Sequence, residues 1–226
     1  MSSLTLQNLT KIYPNKYTSV KNITLEIADG EIVVLHGPSG CGKSTILRMI
    51  GGLEDITSGE IYLGNDLLND IPPCDRPLAM AFQNYALYPH LNVYENMALG
   101  LRLRNMPKSI IDSRVKSTSA FLGFGKLLDK KIRFISETDK QKVALGRAIV
   151  CTPKIILVDE DFAHGNAHLR KDLLKYIRKI NHTYHTTILY ATRNADEAAY
   201  LGGRLVVLND GEVSEIISPI HTVAEK

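Results

Sequence analysis

Eight consecutive residues, Gly37, Pro38, Ser39, Gly40, Cys41, Gly42, Lys43 and Ser44, fit the spacing G-x-x-x-x-G-K-[ST], and Thr45 follows directly. Glycines at these places let successive backbone N–H groups close around phosphate oxygens. Lys43 can then reach β- and γ-phosphates, and the Ser44 hydroxyl can ligate Mg²⁺. The spacing carries weight only between a strand and a helix. Glu31-Ile-Val-Val-Leu-His36 reads as a buried strand and Ile46-Leu-Arg-Met-Ile50 as a helix, whose N-terminus adds positive dipole. A second run, Ile155-Ile-Leu-Val-Asp159-Glu160, reads as an apolar strand ending in two carboxylates. Asp159 can hold Mg²⁺ through water, and Glu160 can polarise an attacking water as a general base does. Each run alone has a plain structural explanation, a glycine-rich turn or a solvated strand end. Together they predict a nucleoside triphosphate site with magnesium.

Those residues need a sheet and helices to hold them. Leu4–Ile12, Ile23–Ile27 and Ile32–His36 read as strands, with Asp29-Gly30 as the turn between the last two. Ser58–Leu63 reads as another strand, and Pro72-Pro73 breaks the chain before the apolar run Leu78–Phe82. The character then changes. Val93–Arg104 and Ile110–Leu122 have helical apolar spacing, and the next clear strand is Lys154–Asp159. A helix over about Leu169–Thr183, a strand at Thr187–Ala191, a short helix at Asn194–Leu201 and a hairpin around Asn209-Asp210-Gly211 complete the reading. The organisation expected is one domain over residues 1–226. An α/β core (1–83 and 153–226) is interrupted by a mostly helical insertion at about 84–152.

With 226 residues the chain can bury a sizeable core. Its 44% apolar and 23% charged residues are ordinary for a soluble globular protein, and a net charge of +3 argues in bulk for neither nucleic acid nor an anionic membrane. No apolar run approaches the roughly 18 residues that span a bilayer. The start, Met1-Ser-Ser-Leu-Thr-Leu-Gln7, lacks the basic and apolar regions of a secretory signal. Cys41, Cys74 and Cys151 are odd in number and far apart, which fits a reducing cytosol better than a disulfide framework. The pairs His164/His168 and His182/His185 have no cysteine nearby and read as surface histidines rather than zinc ligands.

Several stretches together resemble the nucleotide-binding subunits of ABC transporters, most of all the ATPases of sugar and glycerol-phosphate importers. They are Gly37–Thr45, Leu47–Glu54, Pro72–Phe82, Phe82–Asn96, Val143–Ala148 and Val207–Gly211, and the resemblance covers essentially the whole chain. It implies an α/β P-loop NTPase core of the ABC ATPase type, with an antiparallel β subdomain and a helical subdomain insertion. It also implies ATP with Mg²⁺, Tyr13 stacked on adenine (Tyr17 being the other candidate), and Gln83 touching Mg²⁺ and the attacking water. Tyr85–Asn96 would help form the cleft for a membrane subunit's coupling helix. The implied partners are a second ABC ATPase subunit, in a homodimer or heterodimer, and transmembrane permease subunits. The implied place is cytoplasmic, peripheral on the inner face of the cell membrane. No nucleic acid and no covalent cofactor are expected. Importer ATPases of this type usually carry a further C-terminal regulatory domain, and a chain ending at Lys226 is expected to be a shorter relative or a fragment. An Asn-Lys-x-Asp guanine-reading element is lacking, and the helical stretch after Gln83 argues against a kinase or GTPase.

The resemblance breaks where two subunits should meet. The signature, typically Leu-Ser-Gly-Gly-Gln, reads Ile135-Ser136-Glu137-Thr138-Asp139. Ser136 survives to contact a partner's nucleotide, but both glycines are replaced by residues with side chains. Glu137 and Asp139 also bring negative charge towards a phosphate tail. Like charges about 4 Å apart repel by roughly 4 kcal/mol at an effective dielectric of about 20, less where water screens them. The switch histidine is Arg193, which can donate to a γ-phosphate but cannot relay a proton. The loop after the second motif reads Ala163-His164-Gly165-Asn166 where Ser-Asn-Leu-Asp is usual, and Asp161 replaces a proline. Two readings follow: a transport ATPase of slow turnover, or a hydrolysis-deficient nucleotide-binding subunit or regulator, such as the degenerate half of a heterodimer.

Overall fold

The computed structural model describes residues 3–81, 86–159 and 167–218, the last segment with side chains from residue 170 onward. Strand β1 (Leu4–Ile12) buries Leu4, Leu6 and Leu9 and leaves the residues between them polar, as a half-buried strand must. It pairs antiparallel with β2 (Thr18–Ile27) and β4 (Ser58–Leu63), and β5 (Asp66–Leu67) completes a sheet of order β2-β1-β4-β5. The sequence reading began the second strand at Ile23. Pairing reaches back to Thr18 because Asn22 takes φ +49 inside a bulge, which returns Val20 to the buried side.

The second sheet has the order β10-β9-β3-β8-β7-β6. Its strands are β3 (Ile32–His36), β6 (Leu78–Ala81), β7 (Ile155–Val158), β8 (Thr187–Thr192), β9 (Arg204–Asn209) and β10 (Glu212–Ile217). β3 runs parallel to β8 and β9, and β7 parallel to β8, while β9 and β10 form the antiparallel hairpin expected at Asp210-Gly211. Strands covered on both faces read as unbroken apolar runs, and β7 and β8 are buried throughout. Helix α1 (Lys43–Gly51) starts directly after β3 and its loop.

The chain divides into two compact units, residues 1–80, 154–160 and 177–226, and residues 81–153 and 161–176. The first is built on the sheets and packs Leu35, Ile46, Met49, Ile50, Leu157 and Leu189 in one core. The second is built on α2 (Val93–Leu103), α3 (Lys108–Phe121) and α4 (Glu137–Ile149), around Val93, Met97, Leu101, Val115 and Val143. Asn92 and Glu95 form a reciprocal capping box at the start of α2. A side chain at Gly146 would stand 2.9 Å from Met97 Sδ, so α4 lies close against α2. α4 was not separable by spacing, because residues 137–142 are all polar and apolar side chains fall only within 143–149, about two turns. Helix α5 (Ala167–Tyr184) and α6 (Ala195–Leu201) follow.

Candidate nucleotide site

The loop from Gly37 to Gly42 leaves the end of β3 and turns into α1 with almost no room to spare. A Cβ on Gly37 would lie 2.2 Å from Leu208 O, and one on Gly42 would lie 2.5 Å from Ser19 O. Backbone passes where any side chain would collide, so the loop can lie directly against β9 and β2. Lys43 is 4% exposed, and its ammonium donates to Gly37 O (2.7 Å) and Pro38 O (2.9 Å), with Cys41 Sγ at 3.8 Å. The cation thus sits within the turn of the loop, among the main-chain groups that precede it. Helix α1 has no side-chain cap at its N-terminus and no acidic residue in its first turn. No side chain of the first turn offsets the positive dipole at that end, which suits an anion.

Ser44 Oγ donates to Asp159 Oδ1 at 2.7 Å, and Asp159, at the end of β7, is 5% exposed. Two hard oxygen donors, one neutral and one charged, therefore meet beside the loop, a set that suits Mg²⁺. Thr45 Oγ1 lies 3.0 Å from Ser19 Oγ and ties α1 to β2. The rings of Tyr13 and Tyr17 stack with centroids 6.5 Å apart. Tyr17, 47% exposed, donates its hydroxyl to Gly40 O (3.1 Å), whereas Tyr13 carries the Lys11 ammonium 5.1 Å from its ring centre. Arg193 is exposed beyond the end of β8. Gln83, Glu160 and the 161–166 stretch with Asp161 and His164 lie outside the described residues.

Two residues that the sequence did not single out hold this frame. Arg76 is 3% exposed and donates Nη1 to Met49 O (2.9 Å) and Ile50 O (2.6 Å), Nη2 to Leu68 O (2.8 Å) and Nε to Ile71 O (2.9 Å). It closes the C-terminal end of α1, where carbonyls lack partners and a cation is favoured. Burial pushes its pKa below the ordinary arginine value. Glu197 is 4% exposed and accepts from Tyr190 (2.9 Å) and Thr192 (2.6 Å) hydroxyls, which fixes the turn that carries Arg193. An arginine after a proline pair and a glutamate in a short helix gave no periodic signal.

In the helical unit, Ser136 is the N-cap of α4. Its hydroxyl accepts from Asp139 N (3.1 Å) and donates to Asp139 Oδ2 (2.7 Å). Glu137 pairs with Lys140 (2.6 Å), and Lys142 stands 3.8 Å from Asp139. This helix end is closed by the chain's own carboxylate.

Residues 20–163 match the sequence pattern of a family described as ABC transporter. Two similar relatives are each named sn-glycerol-3-phosphate import ATP-binding protein UgpC. That of Rhodopseudomonas palustris (strain BisB5) is 48% identical over 225 residues, covering 100% of this chain and 62% of the relative. That of Psychromonas ingrahamii is 50% identical over 221 residues, covering 98% and 59%. The chain thus spans about three fifths of the length of these curated relatives. A solved dimeric structure, of a post-hydrolysis state of the ATP-binding cassette MJ0796 bound to ADP and Pi, matches with TM-score 0.83 and 29% identity over 96% of this chain and 99% of that one. The α/β cassette fold expected from the sequence is the fold observed.

Proposed function

The chain belongs to the ABC transporter family, and from that premise we propose that residues 37–45 bind ATP with Mg²⁺ and that hydrolysis drives import of a small solute through separate membrane subunits. The solute class proposed is a sugar or glycerol phosphate. The observation that carries the reading is the 2.7 Å contact of Ser44 Oγ with Asp159 Oδ1, which joins residues 115 apart in the chain. These are the donors that would hold the cation, and the cation supplies neutralisation of charge on the β/γ-phosphate oxygens. Lys43 exchanges loop carbonyls for phosphate oxygens, and the uncapped amides of α1 orient the phosphate tail. Tyr13 or Tyr17 stacks on the base. Gln83 positions the attacking water and Glu160 takes its proton, while Arg193 donates to the γ-phosphate without relaying a proton.

A second cassette subunit completes the site, and the pair works at the inner face of the membrane on its permease subunits. The closed contact between Ser136 and Asp139 favours slow turnover when both subunits are this chain. Calorimetric titration of the purified chain with ATP and Mg²⁺ tests the reading. Saturable binding that Lys43→Ala abolishes is expected, and a folded parent with no affinity for ATP overturns it. Phosphate release measured alone, then with an ABC ATPase subunit bearing an ordinary signature, separates homodimer from heterodimer.

A further inference from the structure

The net charge of +3 averages two opposite units. The helical unit carries 15 Lys and Arg against 7 Asp and Glu, and the other carries 12 against 17. The excess peaks over residues 102–116, the end of α2, the turn after it and the first part of α3. There Arg102, Arg104, Lys108, Arg114 and Lys116 stand with one carboxylate, Asp112. Arg102, Lys108 and Lys116 line an open groove of about 830 Å³ together with Met106. Asp112 and Asp129 line it too, but the Asp112 carboxylate accepts the hydroxyl of Tyr94. Within this basic stretch Leu103 is 76% exposed, more than any other large apolar side chain among the described residues, and Ile110 is 41% exposed.

Cations that alternate with exposed aliphatic side chains match a surface that is anionic outside and apolar beneath. Nucleic acid offers phosphates but no apolar layer for Leu103. The tyrosine of the groove is already engaged, by Asp112 and by Arg102 at 5.8 Å from its ring centre. We propose that the α2–α3 hairpin binds an anionic lipid bilayer directly, its cations on headgroup phosphates and Leu103 and Ile110 in the interface. The proposal rests on the reading above only in placing the chain at a membrane, and it adds a contact that needs no other subunit.

Flotation of the full chain, without membrane subunits, on vesicles of phosphatidylcholine mixed with phosphatidylglycerol tests it against pure phosphatidylcholine. Binding is expected on the anionic vesicles only, and it should fall with added salt. Each cation lost should weaken it about fivefold, so the triple variant Arg102→Glu, Arg104→Glu, Lys108→Glu should not float. Lys126→Glu, Lys171→Glu and Lys175→Glu together, at positions outside the groove, should change binding far less. Leu103→Asp should weaken it while leaving ATP affinity intact. Equal flotation of the two triple variants, or of Leu103→Asp and parent, overturns a bilayer contact in favour of general polyanion attraction. A chain that binds ATP but no anionic vesicle overturns this inference alone, whereas one that floats yet binds no ATP overturns only the nucleotide reading.

Discussion

Two helix N-termini, one in each unit, make opposite use of the same physics. The first turn of α1 has neither a capping side chain nor an acidic residue, and Lys43 brings a buried cation to it. The first turn of α4 has a serine cap, and Glu137 and Asp139 supply two anions, one of them bonded to that cap. An uncapped helix start costs about 1 kcal/mol of stability that a serine would restore. Leaving that end without a side-chain cap while filling the other is what the proposed phosphate site at α1 requires. α4 is satisfied from within. The proposed roles divide the same way, since the residues assigned to one subunit's own site match the family pattern and those assigned across a dimer depart from it.

The largest effect is expected at the open end. Lys43→Ala removes a cation that would meet two phosphates, at about 2 kcal/mol each, and ATP affinity by titration should fall about a thousandfold. Retained affinity would show that the main-chain amides suffice, and the contrast between the two ends would lose its basis. The next effect concerns what keeps that end in place. Arg76→Ala leaves the last carbonyls of α1 and those of Leu68 and Ile71 without their buried donor. A loss of about 3 kcal/mol is expected, read as a fall of about 6–12 °C in the melting temperature for a chain of this size. An unchanged melting temperature would mean that water replaces the guanidinium.

How much of this could be read from the chain depends on the kind of signal. The loop, the strand ending in Asp159 and the order of elements were legible, because glycine spacing and apolar runs report local structure directly. The start of β2 was not, since a bulge at Asn22 interrupts the alternation. Nor were Arg76 and Glu197, whose roles come from partners 26 residues away in one case and from a buried pocket of hydroxyls in the other. Charge was misleading in bulk. A net charge of +3 concealed a basic helical unit and an acidic sheet-based one, because only the fold says which residues belong together.

The third expectation turns the closed end into an open one. Glu137→Gly, Thr138→Gly and Asp139→Gln together remove both anions and the cap partner of Ser136. Phosphate release by the homodimer should rise about tenfold, the equivalent of about 1.4 kcal/mol of relieved repulsion. Stability should fall, by about 1 kcal/mol, as the first turn of α4 loses its internal satisfaction. Opposite signs in activity and stability are the diagnostic result. A variant that loses stability and gains no turnover would move the defect to Arg193, where Arg193→His becomes the variant to measure.

The smallest effect separates the two tyrosines at the open end. Tyr17 holds the carbonyl of Gly40 through its hydroxyl, whereas Tyr13 contributes its ring to a stack and its hydroxyl to a long contact with Glu54 at 3.5 Å. Tyr17→Phe keeps the ring and frees the loop, and an exposed hydrogen bond of this kind contributes about 0.5 kcal/mol. ATP affinity should therefore weaken about twofold, while Tyr13→Phe leaves it unchanged. Were Tyr13→Phe the weaker binder, the Tyr13 hydroxyl rather than the tether on Gly40 would be shaping the nucleotide end of the loop.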